Sequence, residues 1–176
     1  MRRVSLLVLL LCGGARAAGT YFPSAPATTW RYSSGETQLI GQPTVVRGVS
    51  VTPTAHQIDG RTVSEDLLEY RGGGVYLRGV RIGKQVIWYD PALTVYPSSP
   101  LTLGQRWESV SGSLKLSSRV MGNEPLSLGA GNFNTLLIRS DVTAGKTVST
   151  QYSYFVPGLG VVRYQTAGGQ VVDLLK

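Results

Sequence analysis

From Lys146 to Pro157 the chain alternates: Val148, Thr150, Tyr152, Tyr154 and Val156 fall on one face, and Ser149, Gln151 and Ser153 on the other. Side chains of a strand repeat every two residues, so this segment is expected to be a strand with one buried face. Val75, Leu77 and Gly79, Leu114 with Leu116, and Leu136 with Ile138 carry the same beat more weakly. Between the β-rich runs stand Ser34-Gly35, Asp59-Gly60, Gly72-Gly73-Gly74, Gly83-Lys84, Ala144-Gly145-Lys146 and Gly168-Gly169. Glycine supplies the positive φ that tight hairpins need. Hardly any stretch sustains a 3.6-residue period, and parallel pairing would need helical crossovers. The expected fold is all-β, an antiparallel meander forming a curved sheet or partly closed β-barrel.

Two segments are less clear. Ser64–Tyr70 admits a capped helical turn or a strand, and a strand is expected. Pro91, Pro97 and Pro100 predict an irregular crossing near the middle of the chain. The residues show no repeat and no interdomain linker, so 18–28 reads as an extended lead-in and 29–176 as a single β-domain.

Arg2 and Arg3 precede the apolar run Val4–Leu11, and Ala15-Arg16-Ala17 places small residues where a signal peptidase reads them. Residues 1–17 are expected to be a cleaved signal peptide, with the protein periplasmic, in the cell envelope or extracellular. Lipidation at Cys12 is the rival processing, disfavoured by Leu11, because the preceding residue should be small. No apolar run reaches the ~20 residues of a membrane-spanning helix. The formal charge of +7 owes three arginines to the signal, and the other basic residues occur singly. A focused field for a phosphate backbone is absent from that pattern, so nucleic acid is not an expected partner.

Chemistry is sparse. His56 is the one histidine and Cys12 the one cysteine, so a catalytic triad or a multi-histidine metal site has little to draw on, and no cofactor or metal is expected. His56, close to the Asp59-Gly60 turn, reads as a surface side chain. Glu65, Asp66 and Glu69 lack the order of a calcium loop and read as a solvated strand face. Among three Trp and nine Tyr, Trp88, Tyr152 and Tyr154 are candidates for a ligand-binding surface, the alternative being that they fill the core or form cross-strand pairs.

From Leu93 to about residue 165 the landmarks are Tyr96-Pro97, Pro100-Leu101, Leu103-Gly104, Trp107, Val120, Gly122, Glu124, Ala130-Gly131, Phe133, Leu136, Ile138, Tyr154-Phe155, Pro157-Gly158, Gly160 and Val162-Arg163. Their order resembles the TapB-like and related domain-of-unknown-function families of exported bacterial β-proteins. That resemblance implies a curved antiparallel sheet, without an assigned activity or cofactor. In it Pro157-Gly158 reads as a tight turn and Gly131 as a bend before Phe133 enters the core. Glu124 reads as a carboxylate bonded to backbone N–H groups or paired with an arginine. The combined expectation is a non-enzymatic exported β-domain that binds an envelope protein or an apolar small molecule on a curved sheet. The alternative is an envelope-glycan hydrolase using a pair of acidic residues.

Overall fold

Tight turns divide the chain as the glycines indicate. At Asp59-Gly60 both residues are left-handed (φ +50° and +73°), the backbone of a two-residue hairpin whose twist matches its strands. The computed structural model describes residues 21–98 and 100–175, so the expected signal peptide at 1–17 lies outside the described residues.

A first sheet contains β1 (Thr29–Arg31), β2 (Glu36–Ile40), β4 (Val49–Ile58), β5 (Arg61–Arg71), β6 (Gly74–Ile82) and β7 (Gln85–Tyr96) in that order, with β3 (Thr44–Val46) paired to β4. A second contains β8 (Arg106–Ser111), β9 (Leu114–Leu128), β10 (Gly131–Ala144), β11 (Thr147–Val156), β12 (Gly160–Thr166) and β13 (Val171–Asp173), again in chain order. Every pairing among these strands is antiparallel. The described residues contain no helix. The all-β meander is thus the fold.

Its two curved sheets meet at both edges without closing into a barrel. At one seam Tyr32 bridges Leu174, and Leu175 N donates to Arg31 O at 2.7 Å. At the other the contacts run through side chains: Thr94 N donates to Ser109 Oγ at 2.9 Å and Trp107 Nε1 to Val95 O at 3.2 Å.

Ser64–Tyr70 lies within β5 as a strand. The irregular crossing expected from Pro91 begins later, because β7 runs on to Tyr96. Proline fits there because β7 is an edge strand and the β6–β7 register jumps between Leu77 and Gly79, so no ladder bond is lost at Pro91. The lead-in is extended but packed. Tyr21 lies 5.0 Å from Phe155 and Phe22 stacks at 5.3 Å on Tyr96, measured between ring centroids. These rings join Leu68, Val75, Val120, Ile138 and Val161 in a core that fills one end of the space between the sheets. Full burial of a side chain such as Phe155 stabilises by about 1.5–3 kcal/mol.

Candidate functional site

Beyond the aromatic core the sheets enclose a cavity of about 410 Å³, with both inner faces in its wall. Leu77, Leu93 and Val95 of β6 and β7 oppose Leu114, Leu116, Ile138 and Val142 of β9 and β10 in an apolar half. Gln38, His56 and Asp66 of the first sheet oppose Gln151, Ser153 and Tyr164 of the second in a polar half. The division follows from register. Gln38 pairs with His56 across β2–β4, while Leu77 pairs with Leu93 across β6–β7, so each half is built from adjacent strands.

His56 is held between two carboxylates. Its Nδ1 lies 2.7 Å from Glu36 Oε1 and its Nε2 3.2 Å from Asp66 Oδ2, and Glu36 Oε1 also accepts from Gln38 Nε2 at 2.9 Å. A bulge after His56 sets the β4–β5 pairing, and Thr54 opposite Asp66 brings that carboxylate within reach of the ring. Burial works against the charged ring, but hydrogen bonds from it to Asp66 and Glu36, and their charges, raise its pKa to about 10. The bond to His56 lowers the pKa of Glu36. At neutral pH the ring is an imidazolium donating from both nitrogens. Both ring nitrogens are thus engaged by carboxylates, and the ring presents no free lone pair to the cavity.

This corrects the expectation of a free surface histidine. The strand expectation for the acids holds, but none of them is merely solvated: Asp66 binds His56, while Glu65 pairs with Arg81 and Glu69 with Arg78, each at 2.6 Å. The imidazole sits between Glu36 and Asp66 rather than beside them, so the three do not converge on a point where a metal would bind. Thr54 Oγ1, in the cavity wall, is buried without a hydrogen-bond partner among the described residues. Such a hydroxyl calls for a polar group from whatever occupies the cavity.

The aromatic candidates lie elsewhere. Gln151 and Ser153 face the cavity, which puts Tyr152 and Tyr154 on the opposite face of β11. Tyr154 there contacts Arg163, whose guanidinium is 5.7 Å from the ring centroid, and donates to Gln165 Oε1 at 3.2 Å. Tyr89 lines the cavity, whereas its neighbour Trp88 lies under Arg47, 5.7 Å from the ring centroid.

Trp107, Glu124, Gly131, Phe133, Pro157, Gly158 and Gly160 are not among the residues lining the cavity. Trp107 packs beside the core at the β7–β8 seam. Glu124 departs from its expected role: the residue is exposed, and it is its backbone carbonyl rather than its carboxylate that is bonded, accepting from Thr135 Oγ1 at 2.7 Å. Gly131 (φ +141°) opens β10 before Phe133, which packs in a second cluster around Trp30, Tyr32 and Val162. Pro157-Gly158 is a tight turn closed by Leu159 N donating to Val156 O at 3.0 Å. Gly160 is buried at φ +101° against Trp30 and Phe22.

The site and fold together define a two-sheet antiparallel β-protein with an amphipathic cavity between its sheets. No protein-family model matches the chain, and a comparison with curated proteins found no match. The landmarks between 93 and 165 therefore stand as a resemblance only. Among solved structures the chain is similar to a Bacteroides fragilis protein whose name describes an exported protein with a YmcC-like fold, at 12% identity. The match covers 89% of this chain and 97% of that one, with a TM-score of 0.47.

Proposed function

We propose that this is a non-enzymatic exported β-domain that binds an apolar small molecule bearing a polar end, with the ligand in the cavity between the sheets. The cavity itself carries the reading. At about 410 Å³ it falls in the range of small-molecule sites, and it combines apolar walls with a few convergent polar groups. The apolar body would lie against Leu93, Leu116 and Val142, and the polar end would face Thr54 and His56. A glycan hydrolase is less well supported. It needs one carboxyl kept protonated, while His56 engages both acids of the site and drives Glu36 the other way.

Export rests on the basic, apolar and small-residue pattern of 1–17. Intact mass of protein from its own host is expected to show a chain beginning at Ala18, and a diacylated chain beginning at Cys12 would contradict the expected cleavage and make the domain lipid-anchored. Native mass spectrometry of the same material tests the ligand. The expected result is one apolar molecule bound per chain, lost in Leu116→Trp with the circular dichroism unchanged. A wild type that carries none, and takes none from a fatty-acid mixture, would contradict the reading.

A further inference from the structure

The outer face of the second sheet carries a feature that the cavity does not explain. Arg106 of β8 pairs with Arg119 of β9, and Arg119 pairs with Arg139 of β10. Three arginines thus stand directly opposite one another on three adjacent strands, with neighbouring Cα atoms about 5 Å apart. The row continues through Tyr152 of β11 to Gln165 of β12.

All three arginines are exposed, along an open groove of about 600 Å³. Their inner-face neighbours Ser118, Ile138 and Ser140 line the cavity, so alternation turns the arginines outward. Acids close by are already engaged. Asp141 bonds Arg139 at 3.1 Å and also accepts from Thr150, and Glu108 bonds Lys115 at 2.8 Å and Ser117 at 3.0 Å. Arg106 and Arg119 have no ion-pair partner among the described residues.

Like charges placed directly opposite in a sheet destabilise it; with Arg139 already paired to Asp141, the cost falls on the facing Arg106 and Arg119 and is relieved when an anion lies across them. Guanidinium groups take carboxylates in a planar two-bond geometry, and an aromatic ring beside them offers a face to a sugar. We propose that the row from Arg106 to Tyr152 binds an acidic polysaccharide. The linear spacing suits an extended chain with repeated carboxylates: the arginines hold the charges, and Tyr152 packs on a sugar ring. This surface lies on the opposite face of the sheet from the cavity and does not depend on what the cavity holds.

Affinity electrophoresis through gels containing polygalacturonate tests the assignment, with neutral dextran as the control polymer. Wild type is expected to be retarded by polygalacturonate alone, and less so as salt rises, because part of the attraction is screened. Arg119→Ser is expected to weaken binding at least ten-fold while raising the melting temperature, since removing the middle charge relieves the repulsion. Tyr152→Ala is expected to weaken binding by a smaller factor. Lys84→Ser removes the same charge at the β6–β7 turn and is expected to leave binding unchanged. Absence of retardation in wild type would overturn the proposal, as would equal weakening by Lys84→Ser. A lowered melting temperature in Arg119→Ser would assign Arg119 to the fold instead. Polyphosphate or duplex DNA bound as tightly as polygalacturonate would show an unselective cationic surface and would also overturn it.

Discussion

Strands β9, β10 and β11 present two unlike surfaces made from alternate residues of the same segments. Inward, Leu116, Ser118, Ile138, Ser140, Gln151 and Ser153 form cavity wall. Outward, Arg119, Arg139 and Tyr152 stand in one cross-strand row. A slip of one residue would exchange the surfaces, putting arginines among the leucines, so the buried face holds the register that keeps the outer row in line. The inner face supplies stability and a cavity; on the outer one the arginine row opposes stability with like charge, while Tyr154 further along packs against the second buried cluster.

Three changes separate these roles. Phe155→Ala strikes the inner face where it packs on Tyr21 and Tyr96, and should cost about 3–5 kcal/mol in a urea titration. A loss under about 1 kcal/mol would mean that the aromatic end is not the main core.

His56→Gln acts on the polar half of the cavity and should cost about 1–3 kcal/mol at pH 7, because two carboxylates lose a charged donor. The pH dependence identifies the cause. With its folded pKa raised to about 10, His56 contributes fully below its ordinary value near 6.5, and the contribution disappears as pH rises through about 10. The gap between wild type and His56→Gln in urea midpoint should therefore shrink from pH 7 to pH 10.5. Parallel curves would rule out the charged ring. The lowered pKa of Glu36 has the opposite sign: its share is present above the ordinary carboxylate range and is lost on acidification.

The smallest effect lies on the outer face, where Arg119→Ser should stabilise by about 0.2–1 kcal/mol through loss of like-charge pairing. Differential scanning calorimetry at low salt would resolve it, and a destabilisation would remove the contrast between the faces.

The fold was largely legible because alternation and glycine turns are local. The hairpins at Arg47-Gly48 and Gly112 carry weaker local signals, the first because positive φ at an arginine is unusual and the second because flanking serines blur the strand ends. Alternation defines two faces without saying which is buried. On β11 Tyr152 and Tyr154 share the more apolar face, yet the cavity wall there is Gln151 and Ser153. His56 looked isolated because its partners Glu36 and Asp66 are 20 and 10 residues away and meet it only through the β2–β4–β5 pairing. The arginine row was invisible for the same reason. Single arginines on separate strands become neighbours only once the registers are known.

Under the proposed function, ligand enters between the sheets and not onto the outer tyrosines. Titration with the fluorescent naphthylamine N-phenyl-1-naphthylamine tests it most directly, using wild type, Leu116→Trp and a variant combining Tyr152→Ala with Tyr154→Ala. Saturable binding of one probe per chain is expected in wild type and in the tyrosine variant, and none in Leu116→Trp, with circular dichroism unchanged in both variants. Probe binding that survives Leu116→Trp and disappears with the tyrosines would contradict it.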